Sequence, residues 1–135
     1  MLVDEVTIRP TVAFAGGVLS GMAKNIENCR ATHMLCVMMK LLYKGPSIMI
    51  SITPVCRLTA DFQYETVVNA ATHVETAGGI VLGSITDNNK VNQNYGKKFG
   101  ECQDSTSIVP HPFSSDTNKR VWFLLAEVHS QQLDQ

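Results

Sequence analysis

The chain opens on an alternating segment. Residues 1–9 read as a strand, whose side chains point alternately to two faces. On that period Leu2, Asp4, Val6 and Ile8 share one face: three large apolar side chains and one carboxylate. The pattern predicts that this face is buried, which makes Asp4 a misplaced charge. Residues 11–21, TVAFAGGVLSG, predict a hairpin, because Gly16 and Gly17 supply the positive φ that tight turns need. Two further apolar runs, 31–43 and 47–53, are separated by the turn Lys44-Gly45-Pro46. Period alone does not assign such short runs. Their β-branched content and Gly-Pro punctuation favour strands.

The pattern changes at residues 59–79. Tyr64, Val67, Val68, Ala71 and Val74 recur at intervals of three and four, which predicts a helix. Thr59 suits its N-cap, Asp61 its first turn and Gly78 its left-handed C-cap. Residues 79–87 then run apolar without alternation, as a strand buried on both faces of a parallel sheet does. Val91, Tyr95 and Phe99 recur every four residues and predict a short second helix over 88–100. Residues 101–118 are polar, carry two prolines and read as a loop; 119–129 supply one more strand. Early strands joined by tight turns pair antiparallel, whereas the later β-α-β order implies parallel pairing. The expectation is one α/β domain over 1–129, a mixed sheet with helices packed on it, and a tail over 130–135.

Composition agrees with that picture. At 135 residues, 44% hydrophobic and 17% charged, the chain is apolar enough to escape disorder and long enough for one core. Its net charge of −1 lacks the basic excess of a self-sufficient DNA-binding module, so any DNA contact requires a local patch. No apolar run reaches the length of a membrane span, so no membrane partner is expected. Cys29, Cys36, Cys56 and Cys102 show no C-x-x-C spacing, which argues against a zinc site. With no signal peptide before them, they are expected to be reduced thiols of an intracellular protein.

The candidate chemistry rests on two aspartates. Asp87 closes the 79–87 strand just before a helix, at the carboxyl end where open α/β sheets bind ligands. If the first strand lies beside it, Asp4 and Asp87 approach each other. Two carboxylates that close repel, and a hard divalent cation such as Mg²⁺ or Mn²⁺ relieves that cost. Two blander readings stand beside this one. Asp87 or Asn88 caps the second helix, and Asp4 is exposed near a frayed terminus.

The order of motifs resembles the RNase H-like domain of P-element-type DNA transposases, whose members often begin with a THAP zinc finger. The matching pieces are Asp4-Glu5, Ala31-Thr32-His33, Ala77-Gly78, Thr86-Asp87 and Asn92, over about residues 1–129. The resemblance implies a mixed five-stranded sheet with flanking helices. It implies that Asp4 and Asp87 are the first two catalytic acids and hold Mg²⁺ for DNA cleavage and strand transfer. In that chemistry water attacks a phosphodiester, and the freed 3′-hydroxyl later attacks target DNA. DNA at transposon ends, a nuclear setting and homo-oligomers follow as implied partners and place. Where the family shows an Asp after the last strand, this chain has Ala126, so Glu127 is the candidate third acid; His129 matches the family's histidine. Glu5 is discounted because it points to the face opposite Asp4. Asp134 has weaker support still. The GTP-binding insertion and the later catalytic Glu of the family have no counterpart here, so the chain reads as a catalytically incomplete fragment or degraded copy. The alternative is a non-catalytic scaffold that binds DNA or a full-length transposase.

Overall fold

The computed structural model describes residues 1–87, 89–99, 106–112 and 121–127. Among the described residues eight strands and two helices follow in the order β1 (Leu2–Thr7), β2 (Ala13–Ala15), β3 (Val18–Ser20), β4 (His33–Lys40), β5 (Ser47–Val55), α1 (Ala60–Thr76), β6 (Gly83–Asp87), α2 (Lys90–Lys97), β7 (Thr106–Pro110) and β8 (Val121–Glu127). Six strands form one mixed sheet in the order β5-β4-β1-β6-β8-β7, and β2 and β3 form a separate ribbon. The left half is antiparallel, β6 is parallel to both β1 and β8, and β7 runs antiparallel to β8. The α/β architecture and mixed sheet agree with the sequence. The strand number does not: six stand where five were expected. The sixth, β7, falls in the segment read as a loop. It is an edge strand, the position in a sheet that tolerates a proline such as Pro110.

Helix α1 starts as its sequence dictates. Thr59 Oγ1 accepts from Phe62 N at 3.3 Å, and Gly78 N donates to Glu75 O beyond the last turn. Val67 and Ala71 are fully buried against Val3, Leu35 and Val37 of the sheet. Helix α2 is capped by Asn89, whose Oδ1 accepts from Asn92 N at 2.9 Å, rather than by Asp87; Asn88 lies outside the described residues. A ring cluster closes this end of the core. Phe99 packs within 5.7 Å of Tyr64, Tyr95 and Trp122. Beneath it, Ser84 Oγ bonds to Tyr95 OH at 2.8 Å and accepts from Trp122 Nε1 at 3.4 Å. Trp122 is thus a core residue, as its chemistry suggests.

Both helices pack on one face, and this reverses the face assignment for β1. Val3 is buried under α1, whereas Asp4 and Val6 are exposed on the other face beside Cys36 and Met34. Asp4 is therefore not a buried charge. Strand β6 likewise starts only at Gly83, and its faces differ. Ser84 and Thr86 are buried beneath the helices, while Ile85 is half-buried on the open side. The apolar residues Ile80 and Leu82 that made the segment look doubly buried are exposed in the connection before it.

The expectation of four reduced thiols also fails. Asn25 donates its side-chain amide to Cys56 O and accepts from Cys56 N, both at 2.9 Å, which lays the 22–30 loop along the end of β5. That brings Cys29 to Cys56, and the two are joined by a disulfide. Cys36 is free; Cys102 lies outside the described residues. The bond closes a loop over a separation of 27 residues. In the loop-closure picture such a crosslink contributes about 3 kcal/mol. Replacing both Cys29 and Cys56 by Ser should lower the unfolding free energy by roughly 2–4 kcal/mol, measured by urea titration of the oxidised protein beside the double variant.

Candidate functional site

The site is built at one end of the sheet. Strands β1, β5, β6 and β8 all deliver their carboxyl ends there, and α1 and α2 begin there. In the parallel pair β1–β6, Leu2 is the register partner of Ile85. Two residues further along each strand lie Asp4 and Asp87. In the next pair, Asp87 is the register partner of Glu127. The three sequence candidates therefore stand in one row across three adjacent strands, about 4.8 Å from strand to strand. This description of Glu127 is of its backbone position. His129 and Asp134 lie outside the described residues.

The two aspartates are held differently. Asp4 is exposed, and its Oδ1 accepts from Glu5 N at 2.8 Å. Asp87 is half-buried, and its Oδ1 accepts from Asn89 N at 3.2 Å and from Asn92 Nδ2. Asn92 is fixed in turn, because its Oδ1 accepts from Gln63 Nε2 at 2.5 Å. Gln63 is 1% exposed, so a side chain in the core of α1 orients a carboxylate at the sheet end through one asparagine. Gln63 Oε1 is buried with no hydrogen-bond partner among the described residues. A shallow pocket here is lined by Asp4, Glu5, Leu58, Gln63, Asn89 and Asn92.

Glu5 points away from Asp4, as expected. Its carboxylate lies 3.7 Å from His33 Nδ1, which also shares a 2.8 Å hydrogen bond with Thr32 Oγ1. His33 thus has the structural role its place in an apolar strand implies. Lys98, at the end of α2, pairs with Asp61 in the first turn of α1. Among the described residues no three His, Cys, Asp or Glu side chains are grouped to hold a metal ion. The described donors are hard carboxylate and amide oxygens, which suit Mg²⁺ or Mn²⁺ rather than a soft metal. No described helix is long and apolar enough to cross a membrane.

The sequence reading missed Gln63. The signal was present: Gln63 sits four residues before Val67 on the apolar stripe of α1, a place where a polar side chain must find a buried partner.

No family model and no curated protein matches the sequence. A solved structure does match the fold. The chain resembles a Drosophila P element transposase. The comparison is with the structure of its strand transfer complex, at a TM-score of 0.69 and 13% identity. The match covers 93% of this chain and 25% of the transposase chain. At that identity the likeness is one of fold: a mixed α/β fold of the RNase H-like kind, shared with a transposase.

Two outcomes follow from the geometry. Asn92→Ala removes the partner of both Gln63 and Asp87. It should cost about 1–3 kcal/mol in chemical denaturation, more than Asn94→Ala on the exposed face of the same helix. Burial, and then the neighbouring Asp4 carboxylate, push the Cys36 thiol up. Asp4→Asn should therefore lower it and speed alkylation at pH 8, read by mass spectrometry on the Cys36 peptide.

Proposed function

We propose that this chain is a transposase-derived RNase H-like domain whose row of acids serves divalent-metal-dependent cleavage of DNA. The observation that carries the reading is the alignment of Asp4, Asp87 and Glu127 on adjacent strands, at the end of a sheet whose fold is shared with a P element transposase. Carboxylates on neighbouring strands are close enough to share one hard cation. Asp4 and Asp87 would hold Mg²⁺, and Glu127 is the third acid proposed for the site. When bound, the ion supplies charge neutralisation for a phosphodiester in displacement chemistry.

The chain's own residues do the positioning. Asn92 fixes Asp87 by donating to Oδ1, which leaves the second carboxylate oxygen for a ligand. Gln63 fixes Asn92 from the core, so the geometry does not depend on a loop. Asp4 sits inside a hydrogen-bonded strand between β4 and β6, with little freedom of its main chain. DNA as substrate and a nuclear setting belong to this proposal and rest on the resemblance.

One observation favours a second reading. Among the described side chains the row offers two acids, Asp4 and Asp87, and no group of three His, Cys, Asp or Glu. A domain that keeps the fold as a scaffold, binding DNA or a full-length transposase without cutting, has that property.

Calorimetric titration of Mn²⁺ separates the two. The wild-type chain should bind the ion, and both Asp4→Asn and Asp87→Asn should abolish the heat while keeping the wild-type circular dichroism. Cleavage of a DNA duplex should then appear with Mn²⁺ and vanish in both variants. A folded wild-type chain that takes up no Mn²⁺ would sink the nuclease reading and leave the scaffold.

A further inference from the structure

The β2–β3 ribbon has no role in the core or in the acid row. It is an uncharged run of eleven residues, 11–21, that stands apart from the main sheet. Phe14 and Leu19 are register partners and share one face, at 73% and 53% exposure; Val18 on the other face is 65% exposed. A two-stranded ribbon is marginal by itself in water, and one this apolar should bury its side chains or open. Here it does neither, because its root is locked. Gly21, at φ +87°, lies so close to Thr11 O that a Cβ there would overlap it at 1.8 Å. Ala31 N donates to Gly21 O, Ile8 N to Thr32 O and Lys24 N to Pro54 O, each at 2.8–2.9 Å. At the far end Gly16 and Gly17 make a two-residue turn with no side chain, so the tip is narrow.

The charge is at the root. Arg9, Lys24 and Arg30 are exposed there, with Glu27 the acid of the same loop, and none of the three cations is in an ion pair among the described residues. The ribbon also leaves the carboxyl end of β1, the end of the sheet that carries the acids. An apolar arm rising from a basic root complements a polyanion whose interior is apolar and stacked. Phosphates meet the root, and base faces meet the arm.

We propose that the β2–β3 hairpin is a DNA wedge, in which Phe14 stacks on an unpaired base while Arg9, Lys24 and Arg30 hold the flanking phosphates. This deepens the DNA reading above and rests on it. It names the substrate form: a junction between duplex and single strand, where a base face is open, in preference to blunt duplex. Stacking of one base on an aromatic side chain is a sequence-tolerant interaction.

The test uses the full chain in EDTA, so that binding is read apart from any cleavage. The probes are a labelled duplex with a 3′ single-stranded overhang and the same duplex blunt-ended, followed by fluorescence anisotropy. Phe14→Ala should weaken binding to the overhang probe by roughly 5–150-fold and change blunt binding far less. Phe14→Trp should restore the overhang affinity, and its added tryptophan emission should be quenched by that probe. Arg9→Ala with Arg30→Ala should weaken binding to both probes and make the salt dependence shallower by about two phosphate contacts. All these side chains lie outside the core, and circular dichroism checks that each variant folds. Wild-type binding that Phe14→Ala leaves unchanged overturns the wedge while the DNA reading stands. A wild-type chain that binds neither probe overturns the wedge together with the DNA reading. Self-association of the wild type in sedimentation, lost in Phe14→Ala with no change in DNA affinity, makes the hairpin a protein contact and overturns the wedge as well.

Discussion

The pairing of β1 with β6 is the joint on which the rest of the molecule depends. On one side stand β5, β4 and β1, all antiparallel; on the other stand β6, β8 and β7. The two halves are joined in the sheet through the register of Leu2 with Ile85 and the 2.7 Å bond from Ile85 N to Met1 O. So short a ladder does not hold a sheet together by itself. The helices bridge the seam instead. Helix α1 packs on Val3, Leu35 and Val37 of the left half, while α2 sets Tyr95 on Ser84 of the right half. The Gln63–Asn92 bond then ties helix to helix. Because the seam also brings Asp4 level with Asp87, the same contacts that stabilise the sheet set the geometry of the acids.

That coupling gives a role to the buried glutamine in the core of α1. A leucine of similar volume would bury there at no hydrogen-bonding cost. Gln63 leaves Oε1 without a described partner, which is a penalty for stability. What it gains is orientation: its amide locks Asn92, and Asn92 locks Asp87. Gln63 thus contributes the direction of a carboxylate at the sheet end more than it contributes packing to the core.

Much of this was legible in the residues. The 3.6-residue stripe from Tyr64 to Val74 gave α1, and Thr59 marked its start because the N-cap bond is local. The Gly16-Gly17 turn gave the hairpin for the same reason. Asp87 at a strand end could be read from sequence order, and its nearness to Asp4 followed once the first strand was set beside it. Features fixed by distant partners were not legible. Which face of β1 is buried depends on where α1 lands, so Asp4 was assigned inward when Val3 is the buried neighbour. Edge strand β7 carries Pro110 and little alternation, and it exists because β8 offers it a ladder. The Cys29–Cys56 bond depends on the Asn25 contacts, which nothing in the spacing of the cysteines announces.

The exposure of Asp4 also means that the chain has no buried charge to neutralise there in order to fold. A charge buried on the inward face would have required a cation for the chain to fold, as structural metal sites do. Asp4 instead keeps its hydration, and Asp87 is satisfied by two N–H donors. Solvent exposure of Asp4 and the N–H donors on Asp87 lower the cost of placing the two carboxylates on adjacent strands. Beneath them on the open face runs an apolar row, Leu2, Ile85 and Leu125, aligned by the same registers. The fold rests on the helix-covered core opposite, while that row is half-buried at Leu2 and Ile85 and exposed at Leu125, and the carboxylates sit at its end. Replacing Asp4 therefore changes a surface charge and removes no contact of the buried core.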